Sequence, residues 1–297
     1  MSERSPDGLW DTPRDEERAK ARRLLRDWDL RAVRVHSPCG TGRIVWRIWG
    51  EGAPVILFHG GAGAWSHWIR NIPALARQHR VIVPDLPGLG ESGSPPHPYT
   101  PESIADLLAE GIERHSGRFR GSYTRTACIG FSFGGMICGL TAERVAPAVG
   151  LVGLIGASGL GGRFDDLAPV HKLPRSAARE ELEDIHRQNL AAMMLHDPES
   201  IDALALTIQS DNAPRTRVMS PEHALSTKLA DSLRRSRLPV HSISGEHCIF
   251  SRDIPRRRAL LSRIYPSAQC HVIEGAGHWA QYEAAGEVNR LLLGWLG

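Results

Sequence analysis

The sequence predicts an α/β fold in which helices cover both faces of a mostly parallel sheet. Short β-type runs alternate along most of the chain with segments of helical spacing, which is the pattern of repeated strand–helix–strand units. Several runs, including 54–58 and 126–131, are apolar throughout, as is typical of strands that are buried on both faces. The 297 residues are 41% hydrophobic, which is enough to bury a sizeable core.

The first predicted element is an N-terminal helical arm within residues 1–30. Thr12, Pro13 and Asp15 suit a helix start, because threonine can cap a helix, proline fits the first turn and an acidic side chain is favourable there. Few apolar residues follow before Asp27, so we expect this helix to lie on the surface.

Eight strand-like runs make up the predicted sheet. The first two, 31–36 and 43–49, alternate apolar and polar residues, as half-exposed strands do. The remaining runs are 54–58, 80–83, 126–131, 149–155, 240–244 and 269–273. Helical spacing predicts the helices that cover the sheet at 65–78, 101–115, 133–146 and 279–296.

The alternation of strands and helices stops between residues 159 and 236. This charged segment contains no strand-like run and predicts three helices, at 177–194, 198–209 and 221–234. It is too long for a loop and too poor in strands for a second α/β domain. We therefore expect a helical lid over residues 159–236, inserted into a core that comprises residues 31–158 and 237–297.

Charge and cysteine content limit the classes of partner. The net charge is only +3, and no long Lys/Arg run lacks acidic neighbours, so we expect no nucleic-acid partner. The densest basic cluster, 256–258, predicts a solvated helix start. The sequence has no apolar leader and no run of about 18 apolar residues, so we expect a cytoplasmic protein without a membrane span. Five cysteines without a CxxC pair argue against a disulfide framework or zinc ribbon.

The motif with the clearest chemistry is Gly-Phe-Ser-Phe-Gly at 130–134, where a predicted buried strand ends and a helix begins. This is the nucleophile elbow, in which a strained turn lifts the hydroxyl of Ser132 clear of the backbone. Glycines two residues before and after the serine remove side chains that would collide in so tight a turn. The helix that follows directs N–H groups toward the position of an oxyanion.

A second glycine-rich loop follows the predicted strand 54–58. His59, Gly60 and Gly61 lie where such a loop supplies an N–H group to an oxyanion hole. We therefore expect the backbone N–H groups of Gly61 and Phe133 to be the two donors.

One of the fourteen histidines has the position of a general base. His278 follows the last predicted strand in a Gly-Ala-Gly-His-Trp segment, so it can reach back over the carboxyl edge of the sheet to Ser132. There it would take the serine proton and return it to the leaving group.

Together these motifs resemble the α/β-hydrolase fold over residues 31–297. The loop 84–92 looks like the structural loop that follows the fourth strand of that family. The C-terminal stretch 277–291 is similar to one branch, the meta-cleavage-product hydrolases, which cut carbon–carbon bonds in ring-fission products of aromatic degradation. The resemblance implies a Ser–acid–His triad.

The acid position departs from the family pattern. Where the resemblance implies Gly-Glu-x-Asp, the chain has Gly-Glu-His-Cys at 245–248, so that Cys248 replaces the carboxylate. A neutral thiol cannot stabilise an imidazolium as an anion does. Three interpretations remain open: Glu246 or Asp253 substitutes, Ser132 and His278 act as a dyad with Cys248 or water orienting the ring, or the enzyme is weakened or altered.

Other departures concern the substrate pocket. The carbon–carbon branch carries an asparagine before the nucleophile and a lid arginine that holds the substrate carboxylate, whereas this chain has Phe131 and, in our alignment, 207–209 (Thr-Ile-Gln). Arg187 is an alternative for the arginine. Both changes favour an uncharged ester, lactone or ketone. We also expect Trp65 and Trp279 to flank the pocket, although bulky aromatics are equally typical of core.

Two strand ends could bring together four residues of metal-binding type, His247, Cys248, Cys270 and His271. Adjacent residues of a strand point to opposite faces, so both members of each pair cannot easily bind one ion, and we expect no metal.

The sequence thus predicts a serine hydrolase acting on a small ester, lactone or carbon–carbon bond substrate. The alternative is a non-hydrolytic enzyme on the same scaffold, such as a lyase, cyclase or acyltransferase, since these chemistries can dispense with a full triad. A module that only binds ligands would be expected to lack Ser132 or His278, and both are present. No cofactor is expected, because the chain has neither a G-x-G-x-x-G after a first strand nor a P-loop. The expected partner is a small-molecule substrate, with a homodimer left open.

Overall fold

The computed structural model describes residues 15–161, 170–174, 178–219, 223–251 and 253–297. Its strands are β1 (Val33–Cys39), β2 (Gly42–Trp49), β3 (Ala53–Phe58), β4 (His79–Pro84), β5 (Thr126–Phe131), β6 (Val149–Ile155), β7 (Val240–Gly245) and β8 (Cys270–Ile273). Its helices are α1 (Asp15–Leu30), α2 (Ile72–Leu75), α3 (Pro101–Arg114), α4 (Ser116–Arg120), α5 (Phe133–Arg144), α6 (Arg179–Met193), α7 (Ala203–Asn212), α8 (Lys228–Ser236), α9 (Ile254–Ile264), α10 (Ala280–Glu283) and α11 (Ala285–Leu296).

All eight strands form one sheet in the order β1-β2-β4-β3-β5-β6-β7-β8. The pairs β1/β2 and β2/β4 are antiparallel and every other pair is parallel. This architecture confirms the predicted α/β class. Because the strands from β3 onward run in one direction, their carboxyl ends meet at one edge of the sheet, where the loops bearing Gly60, Ser132 and His278 begin.

Apolar cores on both faces of the sheet explain the strand sequences. In β3, Ile56 and Phe58 belong to one buried cluster, and Val55 and Leu57 belong to the other. Successive side chains of a strand point to opposite faces, so a strand that is covered on both faces must be apolar throughout.

The prediction of one helix over residues 65–78 is wrong. A 3₁₀ turn at Trp65–Trp68 is followed by the separate four-residue helix α2. Pro73, near the start of α2, has no N–H to donate to the carbonyl of Ile69, and its ring would clash there in a continuous helix. The side-chain amide of Asn71 donates to the Gln281 carbonyl at 3.0 Å and ties this break to the C-terminal segment.

The segment 159–236 contains α6, α7 and α8, and its described part contains no strand. A 3₁₀ turn at Pro198–Ser200 precedes α7, which starts at Ala203 because the Asp202 carboxylate accepts the N–H of Ala205 at 2.8 Å. The predicted helix starts at residues 177 and 221 lie outside the described residues. The described residues 223–227 are not α-helical, and α8 begins at Lys228, so the predicted helix over 221–234 is wrong in its first part. Helix α8 packs against α5, where the Ser232 hydroxyl donates to the Gly139 carbonyl at 3.1 Å.

The N-terminal helix α1 is attached to the core through polar contacts. Its predicted start at Thr12 lies outside the described residues. The indole N–H of Trp49 donates to the Trp28 carbonyl at 2.8 Å. The fully buried guanidinium of Arg47 binds three carboxylates, those of Asp29 in α1 and of Asp85 and Glu91 in the core.

The basic cluster 256–258 does begin a helix, as predicted, but one of its arginines is not solvated. Helix α9 starts after Asp253, whose carboxylate accepts the N–H of Arg256 at 3.0 Å. Arg257 turns inward, and its guanidinium donates to the carbonyls of Ala157 and Phe250. No helix within the described ranges is both long and apolar enough to cross a bilayer.

Candidate active site

Ser132 lies between β5 and α5 with backbone angles of φ 53° and ψ −121°. A positive φ is unfavourable for a residue with a side chain, so surrounding contacts must hold it. The Ser132 N–H donates to the Ile155 carbonyl at 2.9 Å, and the Ser132 carbonyl accepts from Gly135 at 2.9 Å. The turn is therefore fixed to β6 on one side and to the start of α5 on the other.

Glycines are required on both sides of Ser132. A Cβ atom at Gly130 would lie 2.3 Å from the Gly134 carbonyl oxygen, and one at Gly134 would lie 2.1 Å from the His59 carbonyl oxygen. Real Cβ atoms do not approach backbone atoms this closely, so any other residue would force the elbow apart.

The Gly60–Gly61 loop packs directly against the elbow. A Cβ at Gly60 would lie 2.9 Å from the ring of Phe131. The buried ring of His59 anchors the loop, since its Nε2 accepts the N–H of Leu86 at 2.9 Å. Within the described residues, the N–H groups of Gly61 and Phe133 donate to no other group, which leaves them free for a ligand oxygen.

His278 contacts both of the residues that the sequence placed beside it. Its Nε2 lies 2.9 Å from Ser132 Oγ, and its Nδ1 lies 3.0 Å from Cys248 Sγ. The ring lies between Phe131 and Phe250, at centroid distances of 4.9 and 4.4 Å, and is almost fully buried. Ser132, His278 and Cys248 follow β5, β8 and β7, and their side chains form one row of contacts at the carboxyl edge of the sheet.

Both ends of the Cys248–His278 contact are neutral at rest. Burial, aided by the nearby positive charge of Arg257, lowers the pKa of His278 to about 3. Burial also raises the pKa of the Cys248 thiol, although Ser251 and Arg257 act in the opposite direction. A neutral imidazole can accept a proton from Ser132. A thiol can either donate to Nδ1 or accept from it, so it does not set the imidazole tautomer as a carboxylate would.

The candidate substitute carboxylates lie elsewhere. Glu246 accepts the N–H of Gly275 at 3.0 Å, and Asp253 caps α9. In the structure neither is hydrogen-bonded to His278. Of the three interpretations, substitution by one of these two carboxylates is therefore not supported by the geometry.

The two predicted pocket tryptophans are both buried. Trp65 packs on Trp49 with ring centroids 5.5 Å apart, and its backbone N–H donates to Asp85. Trp279 is fully buried, stacks on Tyr282 at 4.3 Å and donates its indole N–H to a backbone carbonyl. Trp279 is therefore enclosed by protein, whereas Trp65 also lines a cavity beside Ala64 and Asp85. A role of either residue in the substrate pocket stays a prediction.

The residues of 159–236 that were predicted to meet a substrate carboxylate have other contacts. Thr207 donates its hydroxyl to the Ala203 carbonyl at 2.7 Å within α7. The buried Arg187 donates to the Ile201 carbonyl at 3.2 Å and so supports the connection between α6 and α7.

Sequence reasoning missed His67, which lies beside the site. Its buried ring is 5.7 Å from Phe131 and 4.9 Å from Trp279 between centroids. A Cβ at Gly63 would lie 2.2 Å from that ring, so this glycine makes room for it. Burial and the nearby histidines His59 and His278 hold the pKa of His67 well below its usual range. No spacing in the sequence separates His67 from the other histidines.

The residues considered for a metal site are not grouped together. His247 stacks on His196 with ring centroids 3.5 Å apart, whereas Cys248 faces His278. Among the described residues no three His, Cys, Asp or Glu side chains are placed to hold an ion.

Comparison with known proteins agrees with this geometry. A model described as "Alpha/beta hydrolase family" matches residues 55–291. A 2-hydroxy-6-oxo-6-phenylhexa-2,4-dienoate hydrolase from Burkholderia cepacia is 31% identical over 264 residues, covering 83% of this chain and 88% of the relative. A dihydrolipoyllysine-residue acetyltransferase component of an acetoin cleaving system from Pseudomonas putida is 29% identical over 271 residues, covering 86% and 67%.

A solved structure of a meta-cleavage product hydrolase is also similar to this chain. A variant of the meta-cleavage product hydrolase CumD, from Pseudomonas fluorescens IP01, has a TM-score of 0.69 and 25% identity, covering 88% of this chain and 97% of that one. The sheet order, the serine elbow after β5 and the histidine after β8 occur here in one chain whose sequence matches the family over most of its length. The chain therefore belongs to the α/β-hydrolase family and is a hydrolase similar to the meta-cleavage product hydrolases.

Proposed function

We propose that this enzyme is a serine hydrolase of small, uncharged acyl compounds. The substrates are esters, lactones, or ketones in which the enzyme cleaves a carbon–carbon bond. Ser132 is the nucleophile and His278 is the general base. The observation that carries this proposal is the 2.9 Å contact between Ser132 Oγ and His278 Nε2 in a strained, glycine-flanked elbow.

The reaction follows from these contacts. Ser132 Oγ attacks the carbonyl carbon while its proton moves to His278 Nε2. The N–H groups of Gly61 and Phe133 hold the oxygen that becomes negative. The bond to the leaving group then breaks, and His278 returns the proton to that group. Water next attacks the acyl-enzyme, again giving its proton to His278, and Ser132 is regenerated.

Cys248 is proposed to orient the imidazole without supplying an anion. The sulfur lies 3.0 Å from Nδ1, close enough to hold the ring, but its pKa is raised by burial. Removal of the triad aspartate in another serine hydrolase costs about 10⁴ in kcat. We therefore expect activity mainly on substrates whose leaving group is already activated.

The residues packed around the catalytic pair support an uncharged substrate. Phe131 is fully buried and packs against His278, and the cation considered for a carboxylate, Arg187, is buried against the backbone of Ile201. The Burkholderia cepacia relative is named for a dienoate, so cleavage of a carbon–carbon bond is included in the proposal.

We further propose that the segment 159–236 acts as a lid, with α6 and α7 as its working part. The carbonyl of Met194, after α6, accepts the N–H of Trp279 at 2.7 Å. Glu283 accepts the N–H groups of His196 and Asp197. These bonds attach the end of α6 to the segment that carries His278, whereas α8 packs on α5.

Labelling with a fluorophosphonate tests the nucleophile. We expect mass spectrometry to find the adduct on the peptide containing Ser132, and we expect Ser132→Ala to abolish it. Ser158→Ala is the matched control, because Ser158 lies beside the elbow and should not be required. Labelling that persists unchanged in Ser132→Ala would reject the proposal.

A non-hydrolytic reaction is the second candidate. The neutral Cys248 thiol favours it, since a reaction that needs no strong base can dispense with the acid, and one relative is named as an acetyltransferase. Incubation with an activated ester and an acceptor alcohol separates the two. Hydrolysis gives the free acid, whereas acyl transfer gives the new ester.

A further inference from the structure

A cavity of about 760 Å³ lies between α1, α6 and α7, apart from the proposed active site. Its described lining includes neither Ser132 nor His278. Ligand pockets in proteins are typically about 300–1,000 Å³, so the volume suits a small organic molecule. Helix α1, which forms one wall of the cavity, precedes the range that the family model matches, residues 55–291.

Two buried polar atoms in this lining have no partner among the described residues. They are Oε1 of Glu183 and Nδ1 of His186. The other carboxylate oxygen of Glu183 pairs with Arg18 of α1. The side chain of Glu183 is nine-tenths buried and His186 is 5% exposed, so leaving either atom unpaired is costly. Because residues three apart share one face of a helix, both atoms can meet one ligand group.

The rest of the lining determines the chemistry of the ligand. Its apolar wall consists of Leu173, Pro174, Leu182, Leu206 and Pro214. Its charges balance, since Arg18 and Arg22 face Glu183 and Asp211. An uncharged, mostly apolar molecule therefore fits better than an ion. Burial lowers the pKa of His186, so the ring is neutral and can carry its proton on either nitrogen.

We propose that this cavity is a second binding site, for an uncharged apolar molecule with one hydroxyl group, such as a phenol or an alicyclic alcohol. The hydroxyl donates to Glu183 Oε1 and accepts from His186 Nδ1–H, which gives both buried atoms a partner. The apolar body of the ligand lies against Leu182 and Leu206.

Isothermal titration with 2-naphthol, and with naphthalene as the ligand without a hydroxyl, tests this site. The variants are Leu182→Trp, which fills the cavity, and His186→Phe, which keeps the ring size but removes the polar atom. His97→Phe is the matched control, because His97 is an exposed histidine outside the lining. Thermal unfolding of each variant verifies that it is folded, and wild-type protein labelled with a fluorophosphonate separates this site from the active site.

We expect the wild type, the labelled protein and His97→Phe to bind 2-naphthol equally. His186→Phe should weaken 2-naphthol about tenfold while leaving naphthalene unchanged, as expected for loss of one hydrogen bond. Leu182→Trp should weaken both. The proposal is overturned if 2-naphthol does not bind or if it binds no better than naphthalene. It is also overturned if fluorophosphonate labelling weakens the binding of 2-naphthol, or if neither Leu182→Trp nor His186→Phe weakens it.

Discussion

At the scale of single residues, one atom distinguishes this site from a Ser–His–Asp triad. Cys248 Sγ takes the place of a carboxylate oxygen beside His278 Nδ1. The nearby cation Arg257 opposes charging of the imidazole and favours a thiolate at Cys248. The site is therefore ready to accept a proton but stabilises the resulting imidazolium poorly.

Restoring the carboxylate with Cys248→Asp should raise the turnover of an activated ester by about tenfold or more. The gain should be smaller than the loss of about 10⁴ in kcat known from removing such an aspartate, because this pocket is not built around the charge. The anion should also raise the pKa of His278 from about 3. Since kcat/KM reports the free enzyme, its acid limb should be absent between about pH 5 and 8 in the wild type and should appear there in the variant.

Glu246→Gln and Asp253→Asn are the controls for this substitution. Both carboxylates are engaged away from His278, so neither change should reduce turnover strongly. Unchanged or lower activity in Cys248→Asp, combined with a large loss in either control, would identify a carboxylate as the true acid. A gain of hydrolysis with loss of the native reaction would favour the non-hydrolytic candidate.

At the scale of elements, the elbow and the proposed lid belong to different segments of the chain. Ser132 is held by β5, β6 and α5 through bonds in the centre of the sheet. The proposed lid helices α6 and α7 bury only part of their residues, including Leu190, Ala205 and Ile208, whereas β5 is buried over nearly its whole length. Elements with fewer buried contacts open at lower free-energy cost.

Hydrogen–deuterium exchange followed by mass spectrometry should show this difference. Amides of α6 and α7 should exchange faster than those of β5, because the central strand exchanges only when much of the sheet opens. Helix α8 should resemble the core, since it packs against α5. Equal protection in α6, α7 and β5 would contradict a mobile lid.

At the scale of the whole molecule, buried neutral histidines couple stability to pH. The pKa values of His59, His67 and His278 are all lowered, with burial as the main cause. In the unfolded chain each would titrate near pH 6.5. Below that pH the unfolded state binds protons that the folded state does not, so stability is lost as the pH falls.

The free energy of unfolding should therefore be lower at pH 5 than at pH 7.5, by about 1–2 kcal/mol for each buried histidine. Denaturant titration at the two pH values measures this. His67→Phe should reduce the difference, whereas His97→Phe, at an exposed position, should leave it unchanged. Equal stability of the wild type at both pH values would contradict the assignment of these rings as neutral.

Local patterns were enough to predict much of the fold and the position of the elbow at Ser132. Strands β3 and β5 could be predicted because a strand that is buried on both faces has apolar residues at successive positions. The elbow could be recognised from its Gly-x-Ser-x-Gly pattern, and Gly130 is required by backbone atoms of nearby residues 134 and 135, whereas Gly134 is required by the distant carbonyl of His59. The failed helix over 65–78 shows the limit of spacing, since Pro73 outweighed the periodic pattern.

The sequence by itself determined the α/β class, the elbow at Ser132 and the order of serine, cysteine and histidine after their strands. Only the tertiary structure decided which side chains meet. Ser132 and His278 are 146 residues apart, and their contact depends on the sheet order rather than on any local pattern. For the same reason, only the folded chain shows that Cys248 rather than Glu246 lies beside His278 and that Arg257 turns inward, because loops from distant strands share one edge of the sheet. The cavity under α1 likewise depends on helices that are far apart in the sequence.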